Sequence, residues 1–203
     1  MMSDDDTIEN MLADSWLTKP RVRWSLSMAF IILILLVLKP VIVDRLISRA
    51  EVYTSNNQFN NVERECRKAI FLDGDNIRAW NLLGNAYKCR GDLTNAIDTY
   101  LNAININPGN KVAHFKVAMV YALEEDYNKA IQHFELIRIL GPESHETLAH
   151  DSFSYYQASL KMLSLCYEKT GQTDKMNNII RDLIRVHPEN QEDKDLIRLS
   201  SKK

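Results

Sequence analysis

Residues 77–110 read IRAWNLLGNAYKCRGDLTNAIDTYLNAININPGN. Gly91-Asp92 divides this stretch into two halves with helical apolar spacing, which predicts helices over about Ile77 to Arg90 and Leu93 to Asn107. Gly84 and Ala96 are small where two antiparallel helices have to approach, while Trp80, Leu83, Tyr87 and Tyr100 are large enough to fill the interface. Pro108 stops the second helix. Sliding the window forward by 34 residues gives Lys111 to Ser144, with Val117-Ala118, Tyr121, Ala130, Phe134, Ile137 and Pro142 in register and His114 in place of the tryptophan. Sliding it back gives Val43 to Asn76, where Leu46, Ala50, Tyr53, Val62, Cys66 and Ala69 fit, but Arg49 and Gly74 depart from the pattern. A fourth copy, Gln157 to Asn190, is offset by a 12-residue insertion and carries Leu160, Leu163-Ser164, Tyr167, Met176, Ile180, Leu183 and Pro188.

Large and small positions recurring together at this period resemble the tetratricopeptide repeat family, with tyrosine for phenylalanine at position 100. The resemblance implies an all-α fold: a right-handed superhelix of four stacked helix-turn-helix repeats. With the N-terminal segment read below, the expected organisation is a tail (1–23), a transmembrane anchor (24–43), a degenerate first repeat (43–76), repeats two and three (77–110, 111–144), an insertion (145–156), repeat four (157–190) and a capping helix with tail (191–203).

Composition excludes several classes. The 203 residues carry 25 Lys and Arg against 27 Asp and Glu, a net charge of -2, which argues against a broad grip on nucleic acid. Three separated cysteines make neither a disulfide framework nor a clustered metal site. All six glycines and five prolines have structural places, at turns, helix ends, the close-packing site or beside the anchor, so no nucleotide loop remains.

Trp24 to Leu38 is a run of uncharged residues about 22 Å long as a helix, short of the ~30 Å hydrocarbon core. Letting Lys39 snorkel and counting through Val43 gives a sufficient length. A cleaved signal peptide is the rival, but no small-x-small site follows within reach. A buried helix is the other alternative, although Phe30 to Leu38 has no polar face. The expectation is therefore a single-pass anchor with the bilayer as partner through residues 24–43, placed in a bacterial inner membrane with the N-terminus in the cytoplasm and the repeats in the periplasm. Ahead of it, Ile8, Met11, Leu12 and Trp16 share one helical face, either a docking helix or a frayed tail.

Catalytic chemistry finds no foothold. In His145-Glu146-Thr147-Leu148-Ala149-His150 the second imidazole comes one residue late for a zinc protease helix, about 140° round from the first. Cys66 and Cys166 lie at or beside packing positions. No enzyme activity, cofactor, metal or small-molecule substrate is expected.

By the family resemblance, the first helix of each repeat lines a concave groove, which points to Arg78, Asn81, Asn85 and Lys88 in repeat two, Phe115, Met119 and Leu123 in repeat three, and Lys161 and Leu165 in repeat four. Asn81 and Asn85 match a fragment of the carboxylate clamp with which some family members hold chaperone C-termini, but Val112, Phe115 and Lys116 do not continue it. The expected function is a tethered scaffold or assembly factor docking a protein of a larger membrane complex in that groove. The alternative is a membrane-bound helper that holds unfolded clients. Phe153, Tyr155 and Tyr156 in the insertion either anchor a partner or cover the seam between repeats three and four.

Overall fold

The computed structural model describes residues 20–142 and 155–186, the side chains of 20–27, 29, 31 and 35 excepted. Among them lie eight helices: α1 (Pro20–Ser55), α2 (Phe59–Leu72), α3 (Ile77–Cys89), α4 (Leu93–Ile106), α5 (Lys111–Leu123), α6 (Tyr127–Leu140), α7 (Tyr155–Lys169) and α8 (Thr173–Val186). Each packs on the helix before and after it in the chain, and the first helices also touch, α1 on α3 and α5 on α7. The predicted tail helix, His145 and His150, and the capping helix lie outside the described residues.

The turn between the helices of a pair is the same device each time. The residue closing the first helix adopts a left-handed conformation: Asn57 (φ 57°), Gly91 (79°), Glu125 (60°) and Gly171 (72°). Its amide donates to a carbonyl three residues back (Thr54, Lys88, Ala122, Glu168), and the next amide donates to the carbonyl of Tyr53, Tyr87, Tyr121 or Tyr167 at 2.9–3.0 Å. These paired bonds satisfy the carbonyls left open at a helix C-terminus. The next residue, Asp92 or Asp126, then caps the second helix through its carboxylate. Between pairs, Asn76 and Asn110 cap α3 and α5 in the same way.

Of these four turn residues, Glu125 alone is neither glycine nor asparagine, the residues that adopt the left-handed conformation most readily. A left-handed conformation costs an ordinary residue roughly 1–2 kcal/mol, and glycine's extra freedom in the unfolded chain gives back about 0.5–1. Glu125→Gly is therefore expected to stabilise the protein by about 0.5–1 kcal/mol, readable as a rise in the urea midpoint. An unchanged midpoint would mean that the turn is not strained.

The core runs through the array as small residues alternating with large ones. Ala50, Val62, Cys66, Leu83, Ala96, Tyr100 and Val117 make one cluster; Ala118, Ala130, Phe134, Leu160, Leu163 and Leu183 make another. Burial pushes the Cys66 thiol up to about 12 and the Cys166 thiol up to about 11, so both behave as small protonated hydrophobes. Tyrosine hydroxyls fasten one pair to the next: Tyr87 donates to Glu63 on α2 at 2.9 Å, and Tyr167 donates to Glu135 on α6 at 2.8 Å.

The N-terminal helix corrects one expectation. Among the described residues, no helix is long and apolar enough to cross a membrane. A sufficient span had to include Val43, but Val43 is 3% exposed and packs with Ile47, Ala69 and Ala79 as the first core residue of the repeat array. Beyond Lys39, then, α1 already belongs to the array, and the apolar stretch up to Leu38 is only about 22 Å long. The single-pass anchor over 24–43, the bilayer as its partner, and the inner-membrane placement with periplasmic repeats are withdrawn. The helix also continues through Pro40 into the first repeat.

Candidate functional site

The predicted groove residues lie on three first helices, α3, α5 and α7. Apolar periodicity decides which side of each faces the core: Ala79, Leu83, Ala86 and Tyr87 on α3, Ala113, Val117 and Val120 on α5, Leu160, Leu163 and Tyr167 on α7. The remaining sides carry the candidates. Arg78, Leu123, Lys161 and Leu165 are exposed, while Asn81, Asn85, Lys88, Phe115 and Met119 are half-buried.

Several of these side chains are already engaged. Arg78 donates twice to Glu51 on α1, at 2.7 and 3.0 Å, and lies 3.6 Å from Asp44. All three are well exposed, so the cluster stabilises by no more than about 1 kcal/mol. Phe115 meets Phe134 and Tyr155 edge-on, with ring centroids 5.8 and 5.4 Å apart, and thus fills the seam between α5, α6 and α7. Tyr155 and Tyr156 are half-buried at the start of α7, and Tyr156 packs with the second core cluster. Met119 packs on the same cluster. Leu123, 60% exposed, and Leu165, 41% exposed, are the open apolar side chains of the set.

On α3 the asparagines differ. Asn85 accepts the Tyr100 hydroxyl at 2.7 Å, tying α3 to α4. Asn81, one turn earlier, has its side-chain oxygen buried with no hydrogen-bond partner. Such an atom is an acceptor in need of a donor.

From the sequence, Lys116 counts only as a departure from the clamp pattern and is not placed among the groove residues. It stands in α5 between Phe115 and Val117, and its ammonium lies 5.9 Å from the centre of the Tyr100 ring. Burial, with Lys88 nearby adding repulsion, pushes its pKa down to about 8. The signal was present as a lone cation within the apolar run Val112 to Val120, but its surroundings come from three helices.

A second polar pair lies on the other side of α5. His114, in the place of the tryptophan of repeat two, is 3% exposed. Its Nε2 is 2.9 Å from the Pro108 carbonyl, so that nitrogen carries the proton; its Nδ1 then accepts from His133 Nδ1–H on α6 at 2.9 Å. Tyr121 stacks on His133, with centroids 5.8 Å apart. No group of three or more potential metal ligands occurs among the described residues.

Comparison with known proteins agrees with this geometry. Residues 77–110 match the family model described as tetratricopeptide repeat. Superkiller complex protein 3 of Mus musculus is 30% identical over 80 residues, which cover 39% of this chain and 5% of that protein. Tetratricopeptide repeat protein 21 homolog of Caenorhabditis briggsae is 23% identical over 153 residues, 70% of this chain and 11% of that one. The chain thus spans only a small part of the length of these relatives. Among solved structures, a tetratricopeptide repeat protein from Parabacteroides merdae superposes with a TM-score of 0.65 at 16% identity, covering 79% of this chain and 57% of that one. The crystal structure of MamA superposes with a TM-score of 0.61 at 23% identity, covering 75% and 84%. At these identities the likeness establishes the fold: an all-α helical repeat of tetratricopeptide type.

Proposed function

We propose that the chain is a protein–protein interaction scaffold whose first helices, α3, α5 and α7, dock one protein partner along their open side. The observation that carries this reading is the pair Leu123 and Leu165. They are large apolar side chains left exposed on successive first helices, where Leu83, Tyr87, Val117, Val120, Leu160 and Leu163 are buried. Repeat arrays present extended surfaces of this kind, and apolar anchors within a polar rim are what a protein partner needs. The half-buried Phe115 and Met119 continue the apolar strip, with Asn81, Asn85 and Lys88 supplying polar groups on α3. Arg78 is assigned to holding α1 and α3 together.

The test is a pull-down with the full chain followed by mass spectrometry, alongside Leu123→Glu/Leu165→Glu. Both positions are exposed, so the variant is expected to unfold at the wild-type temperature, and circular dichroism checks this. Wild type is expected to retain one stoichiometric protein that the variant loses by at least about tenfold. The same protein retained by the folded variant would contradict the reading. A broad set of substoichiometric unfolded clients would favour a chaperone-like helper instead.

A further inference from the structure

We infer that the N-terminal half of α1 pairs antiparallel with the same helix of a second copy of this chain, each copy seating its Met28 end against the cleft that Ile42 and Phe71 form on the other. This surface belongs to α1 and α2, and the inference does not rest on the docking reading for α3, α5 and α7.

Two features of one chain are complementary. The first is a projecting ridge. α2 ends at Leu72, which lines a cleft together with Ile42 and Leu46, so α1 before Ile42 runs on past α2. Among the described residues, ten large apolar side chains from Met28 to Ile42 are 40–62% exposed. An exposed apolar stretch of this length marks an interaction surface. The second feature is the cleft itself, about 500 Å3 in volume, lined by Ile42, Leu46, Phe71, Leu72, Arg67 and Lys68. Phe71 is 89% exposed at this site. Both cations are already paired, Arg67 with Glu63 at 3.0 Å and Lys68 with Glu65 at 3.1 Å, so an apolar occupant strands no charge.

Length and symmetry make that occupant a second copy. Met28, Leu38 and Ile42 share one helical face, because 14 residues are close to four turns and four are close to one. Met28 lies about 21 Å along α1 from Ile42. Turned end for end, another copy brings its Met28 over this cleft while this chain's Met28 reaches the other cleft. The contact is twofold and self-complementary. A parallel pair sets like ends together and leaves both clefts unfilled, whereas an antiparallel pair also opposes the helix dipoles. Lys39, the one charged residue between Met28 and Ile42, is exposed and can hold its ammonium in water beside the seam.

The area suffices. At roughly 100 Å2 of open surface apiece, the ridge side chains and Phe71 offer about 1,000 Å2 per copy. Covering half of that on each of two copies buries roughly 1,000 Å2 in total, the size a specific interface has to reach.

The experiment is sedimentation velocity on the full chain without detergent, from about 1 to 100 μM, beside Leu38→Glu on the ridge and Phe71→Glu in the cleft. Both positions are exposed, so circular dichroism is expected to show wild-type helix content. Wild type is expected to sediment at twice the mass of one chain or more, and each variant to require at least about tenfold higher concentration to associate. Orientation is read by mixing Met28→Cys and Ile42→Cys chains, both carrying Cys89→Ser because Cys89 is the exposed native thiol, and adding a short bismaleimide. Crosslinks between positions 28 and 42 are expected to dominate over those between 28 and 28. Wild type monomeric at 100 μM would overturn the inference, as would unchanged association in either folded variant or a dominant 28–28 crosslink. A chain that stays monomeric and floats with phosphatidylcholine vesicles would overturn it in favour of a lipid surface.

Discussion

Gly84→Ala is expected to destabilise the protein by about 1–3 kcal/mol, against the direction of helix propensity. At an unconstrained helical site, alanine in place of glycine gains up to about 1 kcal/mol. Here a β-carbon at position 84 would lie 2.7 Å from Tyr100 Cδ1 and 2.8 Å from Cζ, closer than carbon atoms approach. The Tyr100 ring is fully buried and tethered through its hydroxyl to Asn85, so it cannot swing aside without breaking that bond and disturbing Val117 and Ala96 around it. Overpacking of this kind costs about 1–3 kcal/mol. Urea denaturation reads the effect, and a double-mutant cycle with Tyr100→Leu isolates its cause. The clash requires alanine to be far better tolerated beside leucine than beside tyrosine. Additive effects would place the strain elsewhere.

Acidification through the histidine pair is expected to cost about 2 kcal/mol of stability. Burial, with His114 as a second influence, pushes the pKa of His133 down to about 4, against about 6.5 in the unfolded chain. The sign follows from which state takes the proton first. Between pH 6.5 and 4 the unfolded chain is protonated at this position while the folded one is not, so stability falls as pH falls through that window. Above pH 6.5 the contribution is constant. The full difference between those values corresponds to about 3 kcal/mol, and partial exposure reduces it. Glu63 contributes in a different range. Burial opposes its ionisation, but hydrogen bonds from Tyr87, Arg67 and Arg90 outweigh burial and hold its carboxyl below the usual range, so its share of stability is lost only under more acid conditions. Unfolding free energy measured from pH 7 to 4 should therefore show a slope that His133→Gln removes. A slope surviving that substitution would assign the proton to another group.

The repeats were legible in the sequence because their packing is local and periodic. Tyr53, Tyr87, Tyr121 and Tyr167 all stand where the turn bonds form, and Gly84 and Ala96 mark the close approach of α3 and α4. The end of the apolar N-terminal stretch was not legible. Val43 suits a lipid-facing helix and a protein core equally, and only its contact with Ala69 and Ala79 decides between them. The surface side chains were partly legible. Helical spacing identified which residues leave the core, but Arg78 is engaged by Glu51, 27 positions away, and Lys116 depends on Tyr100 and Lys88 from other helices. Long-range pairings of this sort carry no periodic signal.

The central claim, that a partner docks on the first helices, is tested most directly by photocrosslinking from single sites. A benzophenone side chain at Leu123 or Leu165 probes the proposed surface, and one at Ile139, 72% exposed on the second helix α6, probes another face. All three positions tolerate a large side chain because they are already open. Crosslinks to one protein from 123 and 165, and none from 139, are the predicted result. Crosslinking from 139 alone would contradict it and move the binding surface to the second helices.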